Sequence, residues 1–478
     1  MVQQFSSANF YKNTNNDNPV SKIKSASIQS AADDKTGGEK QCVYGKDSLL
    51  PYNLANIVPV RTQLETSGEK QMYSEILSAL NSSQYSISAQ DGVSIAKKLD
   101  GLLKSGKLLS SSSNDSSTTL KNLYDILKTP RCLNFDNSKI LAQTIDALYN
   151  PAVITQNFGD IPNSVKDGIL NSSEIAQDVK ANPSLMDVEG SGTCVAASVE
   201  FHMANKHPAE FARWVSGLTS QKREVEQKVR LDALSENVLD AVTFLDIFEA
   251  KQKDFNFEYT TLSLKPDDAA YIRAQVQNEH WDKGERTILD ALMQSTLMQL
   301  GSQGSYDSLT DIRGGKFSSN PQGLVETEKT FIESVVENNE KLSIRYQKVD
   351  DNQNLIGWEC DFDKIQKHII DTLNTGEDVI IGYVLTNETS GKTKEAGYVN
   401  TPDNAPNKII NGHEVTIVDY KTDKNGKITF VCNDTDDDES KLVEYSADFL
   451  IPKIHHAAYP VCIVEDDLKL IEAQQNAA

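Results

Sequence analysis

Four runs between residues 73 and 150 place apolar side chains three and four positions apart, with polar residues between them. They are YSEILSALNSS (73–83), DGVSIAKKLDGLLKSGKLL (91–109), TTLKNLYDILKT (118–129) and SKILAQTIDALYN (138–150). That spacing gathers the apolar residues on one face of a helix. The joints SSSSNDSS (110–117) and TPRCLNFDNS (129–138) are turn-rich, so the chain from about 46 to 185 reads as a helical region. A second helical block is expected over about 194–300. It runs through VAASVEFHMANKH (195–207), PAEFARWVSGL (208–218), the long EVEQKVRLDALSENVLDAVTFLDIFEAKQ (224–252), PDDAAYIRAQVQNEHW (266–281) and RTILDALMQSTLMQLG (286–301). Pro208 and Pro266 stand where a helix can begin.

After about residue 340 the pattern shortens to strand length. LSIRYQKV (342–349) and LIGWECDF (355–362) predict strands around the turn DDNQN, FDKIQKHIIDTLNTG (362–376) a helix ended by Gly376, and DVIIGYVLT (378–386) a buried strand. GHEVTIVDY (412–420) and KITFVCND (427–434) form a hairpin across KTDKNG, where Asn425-Gly426 supplies the turn. LVEYSADFLIPKIHH (442–456) and AAYPVCIVE (457–465) complete the sheet. Helices first and a sheet last is the order of an α+β protein. The polar residues 1–45 read as a disordered leader and 466–478 as a tail.

The 478 residues carry 69 acidic and 47 basic side chains, a formal charge of −22. A nucleic-acid partner is excluded by that balance, since no Lys/Arg run offers phosphate contacts, and an anionic membrane surface is disfavoured for the same reason. No stretch approaches the roughly 18 apolar residues of a spanning helix, and the N-terminus lacks the apolar core of a secretory signal. A cytoplasmic protein is the default expectation, with non-Sec export through a polar leader as the alternative. The six cysteines, at 42, 132, 194, 360, 432 and 462, show no CxxC spacing. They read mostly as reduced, buried thiols rather than a disulfide framework or zinc knuckle.

One cysteine stands apart by context. Cys194 lies in VEGSGTCVAASVEFHMA (188–204), behind two glycines and at the start of an apolar-periodic run. It is either a small buried helix residue or a nucleophile on a helix N-terminus. Ser191 and Thr193 are candidate N-caps for that helix. Uncapped N–H groups and the helix dipole favour a thiolate there, and a cysteine so placed beside histidine ionises with a pKa of about 3.5–7.5. The Cys194 backbone N–H can begin an oxyanion site. His413 opens a β-branched strand directly after Gly412, while Asn433 and Asp434 end the next strand. In a hairpin the start of one strand neighbours the end of its partner, so an imidazole can meet an amide or carboxylate across 20 residues. Asn433 and Asp434 point to opposite faces of one strand, and the pattern does not choose between them.

A glycine-flanked cysteine opening a helix, then the helix IIDTLNTG, the strand EDVIIGYV, Gly-His on a strand and Asn or Asp after the next one: this order resembles the papain-like cysteine peptidases. The C-terminal half is most similar in style to their bacterial branch containing the double-glycine leader peptidases. The resemblance covers about 185–204 and about 340–465. It implies a papain-like fold, a cysteine-bearing helix packed on an antiparallel sheet, over a catalytic domain at 186–465. It also implies a peptide or protein substrate and no cofactor or metal. Cys194 would be the nucleophile and His413 the general base and acid. Asn433 would orient the imidazole, or Asp434 if the register shifts by one. The papain signature C-G-[SA]-C-[WY] is absent, and Val188 and Glu189 stand near where the family's oxyanion glutamine is expected. The 219 residues from Cys194 to His413 exceed the family's usual gap of about 130–150 by a helical insertion over about 205–300, placed to shape or cover the cleft. By the same analogy, the helical region at 46–185 is an inhibitory prosegment or a permanent recognition domain.

Two other functional classes fit the same residues: acyl transfer or deamidation on the same triad, and a non-catalytic interaction or effector protein that keeps the fold. The acidic run DTDDDES (434–440) offers Asp434, Asp436 and Asp438 at alternate positions. A calcium loop would need glycine sixth and glutamate twelfth, where Glu439 and Tyr445 stand, so a solvated loop is expected. His455 and His456, as strand neighbours, should face opposite ways and share no metal. His202, eight residues past the cysteine, reads as a core or surface residue.

Overall fold

The computed structural model describes residues 61–188, 191–230, 259–314, 323–339, 341–350, 354–386, 409–436 and 440–464. The leader, the tail and much of the segment 224–252 expected to be helical lie outside the described residues.

The four amphipathic runs are helices α1 (Ser67–Ser82), α2 (Ile95–Ser105), α3 (Thr119–Lys128) and α4 (Asn137–Tyr149). Their starts follow from local chemistry. Thr66 and Glu69 make a reciprocal capping box on α1, and Asp136 accepts from the N–H groups of Ser138 and Lys139 on α4. Two short helices, α5 (Asn163–Leu170) and α6 (Gln177–Ala181), lead to α7 (Cys194–Lys206) and α8 (Pro208–Leu218).

The next segment corrects the sequence reading. VEQKVR is a strand, β1 (Val225–Arg230), paired antiparallel with β2 (Tyr259–Leu264). Val225, Gln227 and Val229 are buried in strict alternation, a period of two that the long helical-looking run after it obscures. Among its described residues, the expected helical insertion holds the antiparallel pair β1–β2 with α8, α9 (Asp268–His280) and α10 (Ile288–Ser302). All fifteen residues of α10 are buried, and it packs against α7 as the hub of the helical layer.

A short hairpin, β3 (Tyr306–Asp307) and β4 (Ile312–Arg313), precedes α11 (Glu326–Glu337). The sheet region then supplies β5 (Lys341–Arg345), the hairpin β6 (Gln347–Val349) and β7 (Leu355–Trp358), α12 (Phe362–Asn374), β8 (Val379–Thr386), β9 (Ile409–Thr422), β10 (Ile428–Asn433), β11 (Val443–Ser446), a helical turn α13 (Ala447–Leu450) and β12 (Ile454–Pro460). Gly376, with φ +93°, follows α12 as the sequence predicts, and Gly426, with φ +81°, closes the β9–β10 turn. The run 442–456, by contrast, is not one strand: it breaks after Ser446 into α13 and resumes at Ile454.

Six strands form one antiparallel sheet in the order β11-β10-β9-β8-β12-β5. Alternation along β8 divides two cores: Ile380 joins the helical core, while Val379 and Ile381 join the core beneath α12. The helical core is continuous from α1–α4 through α7, α8, α10 and α11. The described molecule is thus a mixed helix-and-sheet protein in which α7 lies between α10 and strand β9. Among the described residues, no helix is long and apolar enough to cross a membrane.

Candidate active site

Cys194 is the first residue of α7, and the whole stretch Cys194–Ala204 is buried. Ala196, Ala197 and Ser198 give this turn small side chains, which let the helix approach β9 closely; the Ser198 hydroxyl meets the Glu414 carbonyl at 3.5 Å. Thr193 occupies the N-cap position but its side chain does not cap the helix. Its hydroxyl is engaged elsewhere, donating to Gln294 Oε1 at 3.1 Å and accepting from the Arg286 guanidinium. Ser191, the other expected cap, accepts from Thr193 N–H and from Arg286. The expected capping is therefore not made, because a buried arginine recruits both hydroxyls. Gly192 N–H is held by the Asp311 carboxylate, which burial pushes up to about 6 despite Arg286 nearby.

His413 stands on β9 opposite Tyr383 of β8, whose ring meets the imidazole edge-on at 5.7 Å between centroids. Its Nε2 lies 2.7 Å from Asp434 Oδ1, and the residue lines the same cleft as Cys194, whose thiol acts on the ring. The three residues Cys194, His413 and Asp434 are thereby brought together from the helix, the strand and the end of β10. Asn433 is not part of the set. It pairs with Thr416 across the ladder, is 1% exposed, and its Oδ1 makes no hydrogen bond among the described residues. The choice is made by a bulge: between Val431 and Cys432 the β9–β10 register shifts by one residue, which re-phases the strand end.

Burial alone would lower the His413 pKa, but the Asp434 charge, its hydrogen bond and the bond to Cys194 outweigh it and hold the imidazole well above its ordinary 6.5. For Asp434, burial acts upward, and the His413 charge and hydrogen bond, the Asp436 N–H and the Tyr445 hydroxyl together hold the carboxyl below its ordinary 3.8. The raised His413 contributes stability in full below about pH 6.5 and loses it as pH rises through its folded value. The depressed Asp434 contributes above about pH 3.8 and loses it as pH falls through its lower folded value. Asp434→Asn is therefore expected to destabilise most between those limits, by about 1–3 kcal/mol, and to bring the His413 titration down toward 6.5. Urea unfolding at stepped pH and the His413 ring resonances measure both, and Asn433→Ala should leave the titration in place.

A polar chain ties the two halves of the site. Gln294 of α10 accepts from Thr193 and donates to the Thr155 carbonyl and to Glu200. Thr155 and Gln156 in turn grip the loop after Asp434: Gln156 N–H and the Thr155 hydroxyl both donate to the Thr435 carbonyl, at 2.9 and 3.0 Å. Gln294, Thr155 and Gln156 are nearly fully buried, and sequence reasoning missed all three. A glutamine within an apolar helix run was the one available signal.

The cleft beside Cys194 is walled by Leu324 and Glu326 at the start of α11, by Gly382 and Tyr383 of β8, and by Glu414 and His456. Among the described residues, none of the insertion 205–300 lines it, and 231–258 of that insertion lie outside the described residues. Gly382 leaves the space in which a Cβ would come within 2.2 Å of the His456 ring and 2.6 Å of Glu414. Glu414 is held at about 2: burial raises it, and Lys329 and His456 prevail.

His455 and His456 correct another expectation. Their Nδ1 atoms lie 2.9 Å apart, because the β8–β12 register shifts between Ile454 and His456 and turns the two rings together. With Glu326 they could hold a cation, although the Arg345 guanidinium already binds that carboxylate. The acidic run 434–440 is described only in part. Asp434 belongs to His413 and Asp436 to the Gln156 amide. Cys132, Cys360 and Cys432 are, like Cys194, buried thiols outside any disulfide, as expected for most of the six, whereas Cys462 is disulfide-bonded. No family model, curated protein or solved structure matches this chain.

Proposed function

We propose that this chain is a cysteine peptidase of papain-like arrangement, acting through Cys194, His413 and Asp434. The observation that carries the reading is the placement of one imidazole between a thiol at a helix N-terminus and a carboxylate. Asp434 engages Nε2 and leaves Nδ1 for the sulfur, the division of the ring that general acid–base work requires. Cys194 Sγ attacks the carbonyl carbon of a peptide bond, and the carbonyl oxygen takes the negative charge beside the first-turn N–H groups of α7. The protonated His413 then gives its proton to the leaving nitrogen as the C–N bond breaks, leaving a thioester on Cys194. Water attacks that thioester while His413 accepts its proton; the acid product leaves and the thiol is restored.

The continuity of the helical core supports a permanent role for α1–α4 within this unit rather than a removable prosegment. The test is incubation of an unfolded protein and a mixed peptide library with the wild type and with Cys194→Ala, reading new N-termini by mass spectrometry. Cleavage by the wild type alone is expected. Ammonia release from glutamine peptides without new termini would replace hydrolysis by deamidation, and neither product would leave a non-catalytic protein.

A further inference from the structure

At the far end of α7 from Cys194, four potential metal ligands converge from four parts of the chain. His202 is on α7, His207 joins α7 to α8, Glu337 ends α11, and Glu377 lies in the turn from α12 into β8. All four are buried, and one ligand atom from each lies within 4.8 Å of the others. We propose that His202, His207, Glu337 and Glu377 form a structural zinc site that pins the base of the Cys194 helix to α11 and the central sheet.

The distances suit a small tetrahedral ion. His202 Nε2 is 3.1 Å from Glu337 Oε1 and 3.8 Å from Glu377 Oε2, and two ligands sharing one zinc at about 2.0–2.1 Å stand about 3.3 Å apart. The opposite ring nitrogen, His202 Nδ1, faces Asp378 Oδ2 at 3.5 Å, the outer carboxylate that commonly orients a zinc-bound histidine. The His202 and His207 rings meet edge-on with centroids 5.0 Å apart.

A second observation points inward independently. Glu377 Oε2 is buried, its side chain 9% exposed, yet among the described residues it accepts no hydrogen bond, and its ion-pair contact is with His202 Nε2 at 3.8 Å. A buried carboxylate oxygen left so carries a desolvation cost that a cation removes. Two imidazoles and two carboxylates match zinc better than magnesium or calcium, which prefer oxygen-only sets. Two glutamates also balance the ion's charge. Lys341 pairs with Glu333 and with Glu337 through the same Oε1 that faces His202, and Lys206 pairs with Asp378 at 3.2 Å. Sequence spacing gives no hint of this set, since its halves are 130 residues or more apart.

The test uses the full chain carrying Cys194→Ala, so that a thiolate cannot compete for the ion. After stripping with a chelator and dialysis against zinc, metal analysis is expected to find about one zinc per chain, and the melting temperature is expected to rise on reloading. Cobalt in its place should give the visible absorption of a tetrahedral N/O site. Glu377→Gln is expected to weaken zinc binding about 100-fold or more, while His455→Ala, at the other histidine cluster, leaves it unchanged. A folded parent, checked by circular dichroism, that takes up neither zinc nor cobalt overturns the proposal without reliance on any variant. So does zinc that survives Glu377→Gln or disappears with His455→Ala.

Discussion

A chain shortened to residues 186–478 is expected to lose its cooperative fold. Those bounds enclose the whole catalytic domain that the sequence suggests, yet the fragment lacks the part of the helical core that α1–α4 supply. Leu120, Leu123 and Ile126 of α3 and Ile140, Leu141, Ile145 and Leu148 of α4 are fully buried, in one cluster with Val195, Val199, Phe211 and Trp214 of α7 and α8. At about 1.5–3 kcal/mol for each buried side chain, these seven alone account for of order 10 kcal/mol, which is comparable with a typical domain's entire stability of about 5–15 kcal/mol. Truncation also removes Thr155 and Gln156, and with them the grip on the loop that follows Asp434. Thermal unfolding by circular dichroism and limited proteolysis of both chains measure the effect. A soluble fragment with a sharp melt would show that the helices are separable, and a fragment more reactive than the whole chain would restore the prosegment reading.

His413→Ala carries the second large effect. It is expected to slow alkylation of Cys194 at pH 6 by about 100-fold, since an ordinary thiol is less than about 1% ionised there. The rate should then climb with pH as an unassisted thiol ionises, whereas the wild-type rate should stay level across the range in which His413 is protonated and Asp434 ionised. Because burial, Asp434 and Cys194 together set the raised His413 value, that level range extends above pH 6.5 in the wild type and contracts from its alkaline side in Asp434→Asn. Stopped-flow alkylation across pH 4–9 on the three proteins distinguishes these profiles. Equal rates for wild type and His413→Ala would mean that the imidazole does not assist the sulfur.

Much of this site was legible from local pattern. The apolar period gave α1–α4, and Gly376 and Asn425-Gly426 marked a helix end and a turn that the fold places as expected. Cys194 and His413 were visible because each sits at the junction of a glycine and a regular element. What the pattern could not carry was set by register and long-range contact. A one-residue bulge in the β9–β10 pairing chose Asp434 over Asn433, and another at Ile454/His456 turned His455 and His456 toward each other, against strict strand alternation. The strand at Val225–Arg230 was lost beneath a longer helical signal, and the Thr193–Gln294–Thr155 chain joins residues up to 139 positions apart, beyond any local rule.

The most direct test of the account is the intact mass of the wild-type chain after brief, substoichiometric iodoacetamide at pH 6, followed by peptide mapping. Cys132 and Cys432 are buried free thiols whose ionisation burial disfavours, so they serve as internal controls. The account predicts a single adduct, located on Cys194. Labelling spread evenly over the free cysteines, or a Cys194 no faster than the others, would contradict it.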